Sequence, residues 1–248
     1  MCAIAVIPAR LQSSRFPRKV LADIHGHTML WHVYQGVLKS QTIRDVWILS
    51  DSQEVIDIAL SWGAKALITS EDCDSGTDRI ASVIELLDAE VIVNVQADEP
   101  LISSEVIDKL VNSMAEVSAD VITPIFKIST LEDLLNPNVV KVARGQDGTA
   151  IYFSRSAIPH LRGVPENEWL DCADFWGHTG VYAFRRDTLI DFPDLPEGQL
   201  EKSEKLEQLR LIESGKKIHT VEIDYRSHAV DTPSDLEAVK DILRQNCK

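Results

Sequence analysis

The sequence is poor in cysteine, and the cysteines that it has are scattered. Four occur in 248 residues, at Cys2, Cys73, Cys172 and Cys247, with no C-x-x-C pair and no histidines clustered beside them. Such spacing is typical of reduced thiols in a cytosolic protein. Long hydrophobic runs are missing as well, since the opening apolar stretch, residues 2–7, is far shorter than the ~18 residues that span a bilayer. We therefore expect a cytoplasmic protein with no export signal.

Basic residues are few compared with acidic ones. Lys and Arg total 25 against 39 Asp and Glu, which gives a formal net charge of −14. Nucleic acids and anionic membranes select for basic surfaces, so we expect neither as a partner held by bulk attraction. An anionic ligand would have to be bound by a local group of cations.

The glycine-rich phosphate-binding motifs G-x-G-x-x-G and G-x-x-x-x-G-K-[ST] are also absent. In their place, residues 7–21 read IPARLQSSRFPRKVL, with four cations and no carboxylate. These cations are Arg10, Arg15, Arg18 and Lys19. Together with the serine hydroxyls and backbone amides of the stretch, they could hold a triphosphate. By charge alone a solvated basic loop is an equal alternative, but the position directly after the first predicted strand favours an anion site.

The hydrophobic pattern predicts strands that alternate with helices. Short runs rich in β-branched residues at 3–7, 45–50, 65–69 and 90–95 predict strands, and the 3.6-residue period at 29–39, 54–62 and 78–87 predicts helices. The second half is richer in strands, predicted at 121–128, 138–144, 150–155, 179–185 and 217–223, with helices near 201–214 and after Pro233. We expect an α/β fold with a Rossmann-like, mixed but mainly parallel sheet flanked by helices. One domain should span 1–248, with a smaller strand-rich lobe within about 121–200.

Polar residues after predicted strands are the candidates for chemistry, because ligands of open parallel sheets bind beyond the carboxyl ends of the strands. DCDSGTDR, residues 72–79, can bind an anion or simply start a helix, and taken alone the helix start is favoured. VNVQADEP, residues 93–100, places Asp98 as a candidate Mg²⁺ ligand, with a polar turn as an equally weighted alternative.

Two later segments have structural interpretations by default. In HAVDTPSDL, residues 228–236, Thr232, Pro233 and Asp235 suit a helix N-cap, N1 and N3, which leaves Asp231 unneeded by the cap. In EKLEQLRLIESG, residues 204–215, Glu207 and Gln208 lie off an apolar stripe and would face solvent.

Eight motifs in order, from residue 7 to about residue 236, carry a resemblance. They are IPAR-x-x-SSR-x-P-x-K, SGTDR, VNVQ-x-DEP, NPN-VVKV, YFSR-x-x-IP, H-x-G-VYA-[FY], LEQLR and VDTP-x-DL. Together they resemble the CMP-Kdo synthetases, or 3-deoxy-manno-octulosonate cytidylyltransferases, within the nucleotidylyltransferase fold that also holds CMP-sialic acid synthetases. LEQLR combined with YFSR is the specific part, and it argues against the sialic acid branch.

The resemblance implies a nucleotide-diphospho-sugar transferase type of fold and the coupling of CTP to 3-deoxy-D-manno-octulosonate (Kdo). The products would be CMP-Kdo, an activated sugar for lipopolysaccharide biosynthesis, and pyrophosphate. It also implies Mg²⁺ as cofactor and a homodimer that forms through the strand-rich half, which would also bind the sugar.

The same resemblance assigns roles to individual residues. The catalytic residues would be Arg10, Lys19, Asp98 and Asp231, of which Asp98 and Asp231 would hold Mg²⁺. CTP would be bound by Arg10, Ser13, Arg15, Lys19, Ser75, Gly76, Arg79 and Gln96. The sugar acid would be bound by Gln96, Arg155, His178, Tyr182, Glu207 and Gln208.

Four positions depart from the pattern. The family usually has glycine where this chain has Arg18 and Ala97, a leucine or similar residue at Thr179, and often a basic residue at Gly177. The first two leave open a nucleotide-binding regulatory protein with impaired catalysis, and the last two leave open another sugar acid, such as 8-amino-Kdo or a sialic-acid-like substrate. Because Arg10, Lys19 and both metal-site aspartates are retained, we expect an active enzyme.

Overall fold

The structure is a computed structural model that describes residues 1–12, 16–224 and 228–246. Two of the predicted CTP-binding residues, Ser13 and Arg15, lie outside the described residues. The described strands are β1 Ala3–Pro8, β2 Asp23–Ile24, β3 His27–Thr28, β4 Ile43–Ser50, β5 Lys65–Ile68, β6 Val91–Asn94, β7 Val121–Lys127, β8 Lys141–Arg144, β9 Ala150–Ser154, β10 Trp176–His178, β11 Tyr182–Arg185 and β12 Ile218–Ile223. The described helices are α1 Met29–Val37, α2 Gln53–Ser61, α3 Gly76–Ala81, α4 Ser104–Glu116, α5 Leu131–Leu135, α6 Trp169–Cys172, α7 Arg186–Asp191, α8 Gln199–Glu204, α9 Gln208–Glu213 and α10 Pro233–Asn246. Short 3-10 turns lie at Lys19–Leu21, Ile84–Leu86, Glu166–Glu168 and Phe192–Asp194.

Ten of the described strands form one mixed sheet. Its order is β5-β4-β1-β6-β11-β7-β10-β8-β9, and β12 pairs with β7. Strands β5, β4, β1 and β6 are parallel neighbours, as are β12 and β7, whereas β11, β10 and β9 run against their neighbours. The predicted mixed, mainly parallel sheet with antiparallel additions is confirmed. Strands β2 and β3 form a separate small hairpin.

Both faces of the sheet are buried, as the continuous hydrophobicity of β1 predicts. Along β1, Ala3, Ala5 and Ile7 belong to one apolar cluster, which α1, α2 and α4 complete. The alternate residues Ile4 and Val6 belong to a second cluster, to which α3, α7 and α9 contribute. The strand is therefore sandwiched between two helical layers and is held rigidly in the middle of the molecule.

Two predicted helices are broken in the structure. The segment 78–87 ends as α3 at Ala81 and continues only as a 3-10 turn, where the Arg186 guanidinium donates to the carbonyls of Ile84 and Leu87. The segment 201–214 divides into α8 and α9 at Lys205, which adopts a left-handed conformation with φ 53°. The local periodicity of the sequence predicts neither break.

The predicted strand 179–185 is also different. The chain forms β10 before it, leaves regular pairing at residues 179–181, and resumes as β11. Strands β10 and β11 thus line one edge of β7 in succession. The helix α4, which the periodicity analysis did not include, covers β7 and β12.

The strand order of the sheet determines where the candidate site lies. Strands β1 and β6 are parallel neighbours, and the chain leaves β1 toward β4 on one side and leaves β6 toward the other side. Such a switch point opens a crevice beyond the carboxyl ends of the strands. The basic loop follows β1 and the Gln96–Asp98 segment follows β6, so both reach this crevice. No helix in the described part of the chain is long and apolar enough to cross a membrane.

Candidate active site

One lysine joins the two acidic segments at the crevice. Lys19 Nζ lies 2.8 Å from Asp98 Oδ2 and 3.2 Å from Asp231 Oδ1. Burial lowers the pKa of Lys19, but the charges and hydrogen bonds of the two aspartates outweigh it and the pKa is raised overall. Lys19 is therefore a fixed cation between two carboxylates.

The backbone brings these aspartates together from distant parts of the chain. Asp98 follows β6, and its carbonyl accepts a hydrogen bond from Val230 N at 2.9 Å. Just beyond, Asp235 Oδ2 accepts from Thr232 N, and Thr232 Oγ1 accepts from Asp235 N, so the helix cap predicted for α10 is formed. The cap does not use the Asp231 carboxylate, which is left to point at Lys19.

Arg18 does not belong to this group. It has φ 58° and ψ 26°, the left-handed region that favours glycine. Arg18 lines neither of the two cavities described below, and its guanidinium pairs with both oxygens of Glu54 in α2, at 2.5 and 3.0 Å. Ala97 needs no such conformation, since the described non-glycine residues with positive φ are Arg18, His25 and Lys205.

A cavity of about 470 Å³ opens beside Lys19 and contains most of the predicted CTP-binding residues that the structure describes. It is lined by Pro8, Arg10, Gln12, Lys19, Val20, Gly76, Arg79, Gln96, Ala97, Asp98 and Asp231. Arg10 Nη2 donates to the carbonyl of Cys73, which ties the basic loop to the Ser75–Gly76 turn. A Cβ on Gly76 would lie 2.9 Å from Pro8 Cγ, so only glycine fits this close approach to the end of β1.

Two predicted CTP-binding residues also have structural roles. Ser75 caps α3, because its Oγ accepts from Asp78 N at 3.0 Å. The Arg79 side chain is 0% exposed and donates to Asp51, Thr69 and the carbonyl of Ser70, which joins the ends of β4 and β5. The helix-start interpretation of DCDSGTDR is thus correct as local structure, and any binding role is additional to it.

A second cavity, of about 650 Å³, lies on the other side of the two aspartates. The predicted sugar-binding residues that line it are Gln96, His178, Tyr182 and Gln208. Gln96, Asp98 and Asp231 line both cavities, so the two spaces meet at these three side chains.

The walls of the second cavity hold neutral rings. Burial lowers the pKa of His178 to about 3, and its Nε2 lies 2.8 Å from Thr123 Oγ1. Thr123 Oγ1 donates to the carbonyl of Val181 at 2.8 Å, so it accepts from His178 and fixes the proton on Nε2. Burial also raises the pKa of Tyr182, with the Glu207 charge adding to the shift. The sequence analysis did not identify Thr123 as a site residue, although it is a polar residue inside the hydrophobic run VITPIFKI.

Glu207 and Arg155 line neither cavity. Glu207 accepts from Thr77 Oγ1, and burial raises its pKa in spite of hydrogen bonds from Ser75 and Thr77. The sequence analysis did not predict that Ser75 or Thr77 would donate a hydrogen bond to Glu207. Arg155 donates to the carbonyls of Glu204, Pro137 and Lys205 at 2.7, 3.0 and 3.3 Å, so it holds the junction between α8 and α9 from which Glu207 and Gln208 project. The surface location expected by default for Gln208 is wrong, since it is buried.

Glu99 is a carboxyl of the site to which the sequence analysis gave no role. Burial raises the pKa of its side chain to about 8, and the charge of Asp98 adds to this effect. It lines the second cavity next to Asp98. Its place directly after Asp98, in the motif DEP, was the feature of the sequence that could have identified it as a site residue.

The donor set fits a hard divalent cation that keeps most of its ligands outside the protein. Asp98 and Asp231 both come within hydrogen-bond distance of one cationic atom, Lys19 Nζ. Within the described ranges, no group of three or more His, Cys, Asp or Glu side chains could hold a metal. Mg²⁺ commonly uses one or two carboxylates plus substrate phosphates, whereas Zn²⁺ requires more protein ligands.

Comparisons with known proteins agree with this geometry. The cytidylyltransferase family model matches residues 4–218. A 3-deoxy-manno-octulosonate cytidylyltransferase of Chloroherpeton thalassium is 44% identical, with 100% of each chain covered. One from Geotalea uraniireducens is 42% identical, with 97% of this chain and 98% of the relative covered. A solved structure of CMP:2-keto-3-deoxy-manno-octonic acid synthetase complexed with CTP gives a TM-score of 0.93 at 38% identity, with 99% of this chain and 100% of that one covered. The chain therefore belongs to the cytidylyltransferase family, and within it to the CMP-Kdo synthetases.

Proposed function

We propose that the protein couples CTP to Kdo and releases CMP-Kdo and pyrophosphate. The observation that carries the proposal is the meeting of two cavities at Gln96, Asp98 and Asp231, with Lys19 between the carboxylates. One cavity has cations and a tight glycine turn, which suits a triphosphate. The other has neutral rings and amides, which suits a polyhydroxylated sugar acid. Their junction is where the nucleophile and the α-phosphorus would meet.

The chemical step needs positioning and charge stabilisation more than covalent help from the protein. The anomeric hydroxyl of the sugar acid, held in the 650 Å³ cavity, attacks the α-phosphorus of CTP held in the 470 Å³ cavity. The P–O bond to the β-phosphate breaks, and pyrophosphate leaves. Arg10 and Lys19 stabilise the negative charge on the phosphates, and Gln96 orients the reacting groups between the cavities.

Asp98 and Asp231 would hold Mg²⁺ together with phosphate oxygens. When bound there, the ion polarises the α-phosphate and lowers the pKa of the attacking hydroxyl. Both carboxylates contact Lys19 before any ligand binds, so their positions at the crevice are already set. Ser13 and Arg15, which belong to the basic loop, remain predicted CTP contacts.

Arg155 and Glu207 remain predicted sugar-side residues. Their contacts support a role through Gln208, because Arg155 fixes the α8–α9 junction and Glu207 fixes the start of α9 against Thr77. A direct contact with the sugar acid would require the Arg155 guanidinium to leave its three carbonyl partners.

We further propose that the protein is a cytoplasmic homodimer that associates through the strand-rich region 121–200. The support is β9, a strand that pairs only with β8 among the described residues, with Ile151 61% exposed on it. Unpaired strand edges that carry apolar residues are ready to associate.

Pyrophosphate release tests the activity. The protein is mixed with each nucleoside triphosphate, MgCl₂, and each of a panel of sugar acids that includes Kdo, 8-amino-Kdo and a sialic acid. We expect release with CTP and Kdo, loss of it in EDTA, and recovery when Mg²⁺ is restored. Binding of CTP without pyrophosphate release from any sugar acid would contradict the proposal and favour a regulatory nucleotide-binding protein.

A further inference from the structure

Thr179 is fixed in the wall of the sugar-side cavity by its backbone. Thr179 lies where the chain leaves β10, and it is only 3% exposed. Its N donates to the carbonyl of Pro124 at 3.1 Å, and its own carbonyl accepts from Val181 N at 2.8 Å and Thr123 Oγ1 at 3.3 Å. The position of the side chain is therefore set by three hydrogen bonds that do not involve it.

The hydroxyl of Thr179 has no partner within the part of the chain that the structure describes. Buried hydroxyls are almost always hydrogen-bonded, since leaving one unsatisfied destabilises the folded state. Gln208, which lines the same cavity, has a buried Nε2 that likewise lacks a partner among the described residues. Both residues line the same cavity, although the two polar atoms are closed to solvent in the free protein, so a rotation of the side chain would bring them to a ligand held there.

We propose that the Thr179 hydroxyl hydrogen-bonds a hydroxyl group of the sugar acid and is a specificity-determining residue of this enzyme. The inference rests on the proposed function. A threonine hydroxyl both donates and accepts, which matches a sugar hydroxyl, and an apolar side chain of the same size offers neither. Thr179 thus selects for a hydroxylated carbon at the position that it faces.

The Thr179→Val variant separates this role from a packing role. Valine keeps the shape and removes the hydroxyl, so kcat/KM for Kdo should fall about tenfold while KM for CTP stays unchanged. Because the hydroxyl has no partner among the described residues, the same change should raise the melting temperature, by roughly 2–4 °C. Thr179→Ser keeps the hydroxyl and should retain most of kcat/KM for Kdo.

Thr220→Val is the matched control. Thr220 is 2% exposed, but its Oγ1 donates to the carbonyl of Gly148 at 2.7 Å, far from either cavity. Its replacement should lower the melting temperature and leave the kinetics for Kdo and CTP unchanged. Opposite shifts in melting temperature for the two valine variants would show that only the Thr179 hydroxyl lacks a partner.

Kdo analogues that each lack one hydroxyl complete the test. For the analogue without the contacted hydroxyl, the wild type and Thr179→Val should have equal kcat/KM values, as a double-mutant cycle requires for an interacting pair. Equal kcat/KM for Kdo in the wild type and Thr179→Val would overturn the inference while leaving the proposed function standing. Loss of folding in Thr179→Val would also overturn it, because the hydroxyl would then have a partner in the free protein. Absence of turnover by the wild type with every sugar acid would overturn both.

Discussion

At the scale of single residues, the site is organised by one cation and two carboxylates. Lys19 is paired with both Asp98 and Asp231, so both aspartates are held in place at the junction of the cavities. If the lysine were absent, the two carboxylates would lose the cation that both of them contact. Binding of a nucleotide and its metal would then have to overcome their repulsion.

Replacing Asp98 by Asn should lower kcat by about 100-fold, because a neutral amide is a weak ligand for Mg²⁺ and no longer directs charge at the reaction centre. Steady-state pyrophosphate release as a function of Mg²⁺ concentration measures the effect. The matched control is Asp45→Asn, whose ion pairs with Lys65 and Arg44 lie outside both cavities. Turnover close to that of the wild type in Asp98→Asn would remove this residue from the metal site.

Replacing Arg18 by Gly should leave kcat and both KM values within about twofold of the wild type, since an exposed ion pair contributes little and glycine relaxes the left-handed backbone. The pair with Glu54 is the only described contact of the guanidinium with a carboxylate. A large loss of CTP affinity would show instead that Arg18 turns into the crevice when the nucleotide binds. Titration calorimetry with CTP distinguishes these results.

His178 should remain neutral throughout the physiological pH range. Its folded-state pKa of about 3 lies below the ordinary value of 6.5, so between these values the unfolded chain binds a proton that the folded protein does not. The lowered pKa of His178 therefore makes the free energy of unfolding decrease as the pH falls from 6.5 toward 3. Above pH 6.5 this residue does not change the free energy of unfolding with pH. NMR titration of the imidazole should show a single Nε2–H tautomer from pH 8 to pH 5. A midpoint near 6.5 would contradict the burial and the contact with Thr123.

At the scale of elements, the packing of β10 on β7 places Gly177 directly opposite Phe126. A Cβ on Gly177 would lie 2.3 Å from Phe126 Cζ, with the ring across the strand. A residue with a side chain at this position is incompatible with the phenylalanine ring where it lies. The side chains that can be accommodated at positions 177 and 126 therefore depend on each other.

Gly177→Ala should destabilise the protein by about 1–3 kcal/mol, because the ring has to move within a packed core. Adding Phe126→Leu should recover part of the loss, and urea unfolding of the two single variants and the double variant measures the coupling. Additive effects, with no recovery in the double variant, would mean that the ring and the new Cβ do not meet. Gly63→Ala serves as a comparison. Its Cβ would meet nothing within 4 Å, so any destabilisation would come from the backbone strain at a φ of +78°.

At the scale of the whole molecule, the edge strand β9 gives the proposed dimer a measurable consequence. Ile151→Glu places a charge on the exposed edge, and charged edge residues prevent strand association. Sedimentation velocity should show a dimer for the wild type and a monomer for the variant. A monomeric wild type would refute the homodimer, and a dimeric variant would place the interface elsewhere.

The sequence by itself determined the alternation of strands and helices, because buried parallel strands need continuous apolar runs and their covering helices need one apolar stripe. It also predicted that the basic loop and Asp98 lie at one edge of the sheet, since polar residues that directly follow buried parallel strands meet there, whereas the resemblance supplied the other site residues. The motif order identified the family, which the comparisons confirm. These features depend on short segments of chain and on their order.

Only the tertiary structure decided which residues meet. Asp98 and Asp231 are 133 positions apart and are joined through Lys19 and the hydrogen bond from Val230. At the break between α8 and α9, Arg155 donates to the carbonyls of Glu204 and Lys205, and the Thr179 hydroxyl is buried with no partner among the described residues. Long-range contacts of this kind leave no periodicity in the sequence, because each depends on where the rest of the fold places the partner atom.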